Sequence, residues 1–388
     1  MSTLKVDNIR HNNATSDAIT MASDGTCTAK LTSIGGGGLS HRNKFINGAM
    51  TISQRATSFT STLADNQHIL DRFRHIIRGT NDSHYTQVSD HPDNFTKSMK
   101  VKCNSTYTPS ASDNAGFQSL LEGQDLQDLN FGSANANSFT VSFYAKSASQ
   151  NNNHQYTFQI RSYPSGGAVT RIKNFPFTVT SSWQRFTFTF TGDTGADIRN
   201  DNQTGMALLW NLNAGPDDIA SQYTNWTTLG KYMCVTGQSN FLDNTNNEFY
   251  LTGVQLEVGD TATSFEHRSY CEELQRCKRY YQIIADGSDN ANETFGTAHG
   301  WNSVQAEVII RWDVEMRDTP DLEQGVGTNY YQVTINGVNK YTNQWQKYQF
   351  TKRDGMLYNT NFSGLSGGAA YRCKLNNANA YLHLDAEL

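Results

Sequence analysis

The side chains best suited to chemistry in this sequence are its carboxylates, and some come as adjacent pairs, Asp217-Asp218 and Glu272-Glu273. Acid-base hydrolysis of a polysaccharide needs two carboxyl groups roughly 5 to 10 Å apart across the sugar. Neighbours on a strand or helix point apart instead. Two acidic stretches, GDTGADIRNDN with Asp193, Asp197 and Asp201, and DGSDNANE with Asp286, Asp289 and Glu293, offer oxygen ligands suited to Ca²⁺ but lack EF-hand spacing. Solvated turns are the simpler reading. None of the 10 histidines pairs with another at metal-ligand spacing on one element, and His68, His75, His84 and His91 are scattered among polar residues. Ser366, in GLSGG, lacks the strand-to-helix context of a nucleophile, and no glycine-rich phosphate loop or HExxH pair occurs. The expectation is a protein without catalytic residues, metal or cofactor, and not an enzyme.

The aromatics carry more information, because strand alternation sorts them. Trp210 and Trp312 lie in phase with apolar neighbours and belong to the core. Trp345 shares its expected strand face with Lys347 and Gln349, and Trp226 sits in the polar stretch SQYTNWTT. Both are expected to be exposed. With Tyr341 they are the candidate receptor-binding residues, since an exposed ring can stack on a pyranose or form an inter-subunit contact.

The bulk properties limit the partners. A formal charge of -5 and a pI near 6.1 argue against a phosphate-binding surface, so no nucleic acid is expected. Mean hydropathy is -0.61 with only 17% charged residues, so polarity resides in Asn, Ser, Thr, Gln and Gly, which favours β-structure rich in turns. The opening MSTLKVDNIR has no basic region followed by an apolar core, and no apolar run of about 18 residues occurs. A soluble, uncleaved chain without membrane insertion is expected. Six cysteines spread over 388 residues read as reduced thiols.

The elements follow from periodicity. Residues 1–34 contain short alternating pieces with too few apolar groups to fold alone and read as an N-terminal attachment segment. A hinge of four glycines, Gly35 to Gly38, follows within residues 35–44. From residue 45 to 268, runs such as FTVSFYA and WQRFTFTF place Phe139, Val141 and Phe143, and Phe186, Phe188 and Phe190, on one face each, with the opposite face wet. Residues 269–282 form a connector helix with Tyr270, Leu274, Cys277 and Tyr281 as its apolar stripe and Glu272–Arg276 as an i, i+4 pair. Residues 283–388 resume the strand pattern, with Asn336-Gly337 and Asp354-Gly355 as hairpin signals. The expected fold is all-β: an antiparallel, jelly-roll-like β-sandwich, a short connector helix and a second, smaller β-domain.

Four stretches, FINGAMTISQRATSFTS, DRFRH, FYLTGVQLEVGDTATSFEHRSYCEELQRCKRYYQ and VEMRDTPDL, resemble tail-fibre or related virion-fibre proteins of bacteriophages, particularly marine and cyanobacterial ones. The resemblance spreads over about residues 45–388 and carries no catalytic motif. It implies a homotrimer made in the host cytoplasm and assembled into the virion. The N-terminus would join a tail or adaptor protein, and the distal β-domain would attach to a host-surface glycan or protein receptor. Two alternatives are a phage polysaccharide depolymerase and a purely structural neck, baseplate or capsid-decorating fibre. The short regular repeat of a parallel β-helix, common among glycan-degrading phage proteins, is missing.

Overall fold

Phe139, Val141, Phe143 and Ala145 all turn inward from one strand, Phe139–Ser147, and each is fully buried. In the computed structural model they meet Trp210, Phe117 and Phe158 from an opposing sheet, with the Trp210 ring stacked on Phe117 at 5.3 Å. The structure describes residues 41–388 except 81, 168–169 and 231–233, together with residues 6–10, 12, 19–21, 23 and 27–29. Two six-stranded antiparallel sheets enclose this core. One runs in the order Thr227–Thr228, Arg171–Thr178, Gln155–Ser162, Thr204–Ala214, Asn114–Glu122, Arg74–Arg78. The other runs Gln184–Phe190, Phe139–Ser147, Glu248–Val258, Ser98–Cys103, Ser83–Val88, Ser58–Phe59. The all-β sandwich fold is as the alternation implied.

The wet outer face expected of these strands is not wet at the sheet centre. Thr140 and Ser142 are buried, because the chain after Val258 folds back over them: Thr140 Oγ1 donates to the Gly259 carbonyl at 2.9 Å. Gln255 and Glu257 are covered in the same way and bond to Thr263 and its neighbours. Polar residues there satisfy the backbone of a covering segment rather than facing water.

The α-helix among the described residues spans Tyr270–Lys278, with Ser269 accepting from the Glu272 amide at 3.2 Å as its N-cap. Glu272 and Arg276 pair at 3.1 Å on its outer side. Its buried side keeps Cys277 and Tyr281 of the expected stripe and departs from it at Tyr270. Tyr270 is 61% exposed, whereas Glu273 and Cys277 are buried. The reason is a polar anchor: the Glu273 carboxylate accepts from the Asn47 amide and from Arg268 at 3.2 Å, which rotates the helix to bring an acid inward.

A second core lies beyond the helix. A seven-stranded antiparallel sheet runs Val338–Thr342, Tyr331–Ile335, Ala370–Leu375, Thr294–Gly300, Ala306–Arg311, Asp354–Asn359, Gln346–Tyr348. A three-stranded sheet, Tyr281–Asp286, Tyr381–Asp385, Asp321–Gln324, packs against it through Leu382 and Leu384. Asn336 and Gly337 adopt positive φ in a two-residue hairpin between Ile335 and Val338. Asp354-Gly355 is not a turn but a strand start; the turn lies just before it, where the Thr351 amide donates to the Asp354 carbonyl at 2.8 Å.

Asn8–Ile9, Ile19–Met21 and Cys27–Ala29 form a small antiparallel sheet with Ile9 and Met21 exposed. The expected hinge at Gly35 to Gly38 lies outside the described residues.

Candidate functional site

The stretch YLHLD, residues 381–385, alternates strictly. Leu382 and Leu384 enter the core, while Tyr381, His383 and Asp385 face the other way. The flanking strands add to that polar face. Glu323 pairs in register with His383 from one side, and Tyr281 with Asp385 from the other. A bulge between Ile283 and Ala285 shifts the register, so Ala285 turns into the core and Asp286 joins the polar face opposite Tyr381.

This face forms one wall of an open cleft of about 650 Å³. The opposite wall belongs to the first sandwich and carries Arg55, Phe59, Asn66, Gln67 and His68. Both domains are therefore needed to make it, as is common for ligand sites.

The chemistry of the cleft is dense. Tyr281 Oη lies 2.6 Å from His383 Nδ1 and donates to Glu323 Oε2 at 3.4 Å. His383 Nε2 makes no hydrogen bond, with the Asp286 carboxylate 3.4 Å away. The Tyr381 ring packs on the His383 imidazole at 4.6 Å and remains partly open to the cleft. The guanidinium of Arg55 covers the Tyr281 ring at 3.7 Å and donates to Asp385 at 2.7 Å. Burial lowers the His383 pKa to about 4, against the opposing pull of Asp286, so the ring is neutral at pH 7. Burial lowers that of His68 as well. Glu323 is raised, by desolvation and then by the neighbouring Asp385.

The cleft adjoins a joint of charged side chains. Glu387 is buried between Arg72, Arg55 and His68; burial alone would raise its pKa, but Arg72 and then the other two bring it down to about 2. Arg317 donates to the carbonyls of Ala386 at 2.7 Å, Glu387 at 2.9 Å and, across the joint, Asn202 at 2.9 Å. Gln54 bonds both Asp71 and the Tyr281 carbonyl.

The three rings singled out in the sequence are not brought together, and none lines the cleft. Trp345 is 1% exposed, contrary to expectation. The strand after it begins only at Gln346, so the alternation that placed it outside does not reach it. Gln324 clamps its backbone with bonds of 2.8 and 2.6 Å, and its ring packs on Phe295 and Phe362. Trp226 is half-buried, edge-on to Phe131, with its Nε1 donating to the Thr191 carbonyl at 2.8 Å. Tyr341 is 39% exposed on an edge strand of the seven-stranded sheet. The acid pairs diverge: Asp218 and Glu273 are buried in ion pairs, and Glu272 is exposed. Among the described residues no three His, Cys, Asp or Glu side chains converge on a metal position. The cleft residues that sequence reasoning missed had one readable signal, the period of two in YLHLD.

No family model matches the sequence, and no curated protein matches it. Among solved structures, the enzymatically active domain of tailspike protein 4 of bacteriophage CBA120 aligns at 13% identity over 56% of this chain and 21% of that one, with a TM-score of 0.31. A family 11 carbohydrate-binding module of Clostridium thermocellum, in complex with a mixed-linked tetrasaccharide, aligns at 14% identity over 53% of this chain and 96% of that one, with a TM-score of 0.28. A CBM22-1 xylan-binding domain from Paenibacillus barcinonensis aligns at 11% identity over 53% and 94%, with a TM-score of 0.27. The likeness is slight in each case.

Proposed function

We propose that the chain is a structural virion-fibre protein that attaches a phage to its host by holding a surface saccharide in the cleft between its two β-domains. The observation that carries this reading is the cleft itself: carboxylates, side-chain amides and the partly open Tyr381 ring surround about 650 Å³, which suits a polyol that needs both hydrogen bonds and a ring to lie against. Attachment then uses both domains rather than the distal one alone. The fibre is a homotrimer, with residues 1–34 joined to a tail or adaptor protein, and cooperation of three weak sites gives avidity.

Host-cell adsorption of the purified full chain tests this. Tyr381→Ala is expected to reduce adsorption about tenfold while leaving the melting temperature unchanged, since the ring is outside the core. Unchanged adsorption would remove the cleft from the attachment surface. Light scattering tests the assembly: a monomer mass would exclude the trimer.

One observation favours a second reading, a polysaccharide depolymerase. Glu323 has its pKa raised while neighbouring Asp385 is held by Arg55, which gives the cleft two carboxyl groups in unlike environments. Release of reducing ends from host glycan, lost in Glu323→Gln, would establish that reading in place of binding alone.

A further inference from the structure

We infer that the cleft selects a saccharide bearing a free, protonated amine, with the Glu323 carboxylate as its counter-charge. The inference rests on the reading of the cleft as a saccharide site and adds the class of sugar.

The argument is one of charge balance within a defined volume. Asp286, Glu323 and Asp385 face the cleft, against one guanidinium, Arg55. Arg55 is already committed to Asp385 at 2.7 Å and to Glu387 at 3.4 Å, so it neutralises carboxylates within the joint and has little to offer an anionic ligand. The two imidazoles do not compensate, since burial keeps both neutral at pH 7. Asp286 is engaged by the Ser288 amide at 2.8 Å and lies beside His383. Glu323 differs from both other acids: among the described residues it has no ion pair, and it accepts only the long bond from Tyr281 at 3.4 Å. It is exposed and lines the cleft.

A carboxylate held in a concavity without a cation is a site for one. A metal ion does not fit, because no three ligating side chains among the described residues converge. An ammonium group needs only one carboxylate and two or three further acceptors. The surroundings suit a sugar that carries it. Gln67 Nε2 and the Asn379 side chain make no hydrogen bond among the described residues and are exposed at the rim. These groups are donors and acceptors for hydroxyls, and Tyr381 is a ring on which the pyranose can lie. A uronic or sialic acid would meet three carboxylates with no available cation and is excluded by repulsion.

The test is titration of the full chain at mildly acidic pH, where glucosamine amines are protonated, with three oligosaccharides of matched length: chitosan oligomers, which carry free amines, chitin oligomers, which are N-acetylated, and oligogalacturonate, which is acidic. The expected order is amine, then neutral, then acid, with a preference of amine over neutral on the order of tenfold, the size of one charge-assisted hydrogen bond. Glu323→Gln abolishes that preference, so that the variant binds chitosan no more tightly than it binds chitin. Glu272→Gln, on the exposed side of the helix, leaves it intact. Equal binding of chitosan and chitin, or the same loss in Glu272→Gln as in Glu323→Gln, overturns the amine inference while saccharide binding stands. Failure of every oligosaccharide to bind, with host adsorption insensitive to Tyr381→Ala, overturns the saccharide reading beneath it. Displacement of chitosan by a lysine-rich peptide at equal potency would assign the cleft to a protein receptor and overturn both.

Discussion

Arg279 donates two hydrogen bonds, of 2.7 and 2.8 Å, to the two carboxylate oxygens of Glu122, a fully buried side chain 157 residues earlier. Tyr280 adds a third donor to the same group at 2.6 Å. Arg72 lies 3.4 Å over the Tyr280 ring and Arg55 lies 3.7 Å over the Tyr281 ring, so two successive tyrosines are each capped by an arginine of the first sandwich. The link between the domains is thus a set of buried, directional bonds. Removing one partner would leave a buried charge uncompensated, so the joint depends on each of them.

Glu122→Ala therefore separates the domains before it unfolds either. The change leaves Arg279 and Tyr280 without their acceptor, at a cost of about 3 kcal/mol, moderated because Arg279 is partly exposed. Calorimetry is expected to resolve two transitions in place of one. A single, unshifted transition would show that the joint does not depend on this group.

Acid acts on the same region in two steps. His383 has its pKa lowered from 6.5 to about 4, so the unfolded chain takes up the proton first and stability falls as pH drops from 6.5 to about 4. His75, buried in the first sandwich and also lowered to about 4, contributes in the same window. Glu387 is lowered from 4.5 to about 2, so its contribution is complete above 4.5 and is lost as pH falls towards 2. Melting temperatures measured across this range should decline in both windows, with His383→Gln flattening the first and Glu387→Gln the second. An acid limb unaltered in Glu387→Gln would contradict the assignment.

How much of this was legible in the sequence depends on whether a residue's role is local. The β-sandwich was, because Phe139, Val141 and Phe143 alternate within one strand and need nothing distant to make their meaning clear. Trp345 was not: it precedes its strand by one residue, and the clamp from Gln324 is a tertiary contact. Asp286 reaches the cleft only through a bulge, which inverts the face that simple alternation assigns. The helix buries Glu273 while Tyr270, the first residue of its expected stripe, stays exposed, because Glu273 binds the Asn47 amide, a partner 226 residues away. Residues from the stretches that carry the resemblance to virion fibres, among them Asn47, Arg55, Arg72, Tyr280 and Arg317, meet at the joint and the helix seat. What their types and spacing could not convey is that they meet.

Trp345→Ala is expected to behave as a core truncation. The ring is fully enclosed between Phe295 and Phe362 at 6.1 and 5.9 Å, so its loss leaves a cavity and costs roughly 3 to 5 kcal/mol. Chemical denaturation measures this. A loss below about 1 kcal/mol, with weakened host binding, would return the residue to the surface role its sequence context suggested.

The last prediction concerns Gly48, whose neighbour Asn47 organises the seat of the helix. Asn47 adopts positive φ, its Nδ2 donates to the carbonyls of Ile52 at 2.8 Å and Asp71 at 2.9 Å, and its amide donates to Glu273. Gly48 lies directly against the strand Glu248–Val258, and its carbonyl accepts from the Val254 amide at 3.0 Å. A Cβ at this position would sit 2.0 Å from the Val254 carbonyl oxygen, a backbone atom that cannot swing aside. Gly48→Ala must push the segment off the strand, which costs about 1 to 3 kcal/mol and draws Asn47 away from Glu273. Proteolysis should then cut within residues 259–269 at concentrations of protease that spare the parent. Gly337→Ala is the control: its Cβ would meet open space, and only the positive φ of 78° opposes it, at about 1 kcal/mol. If the two variants lose stability equally and neither becomes sensitive to cleavage beside the helix, the Gly48 contact is not what seats it.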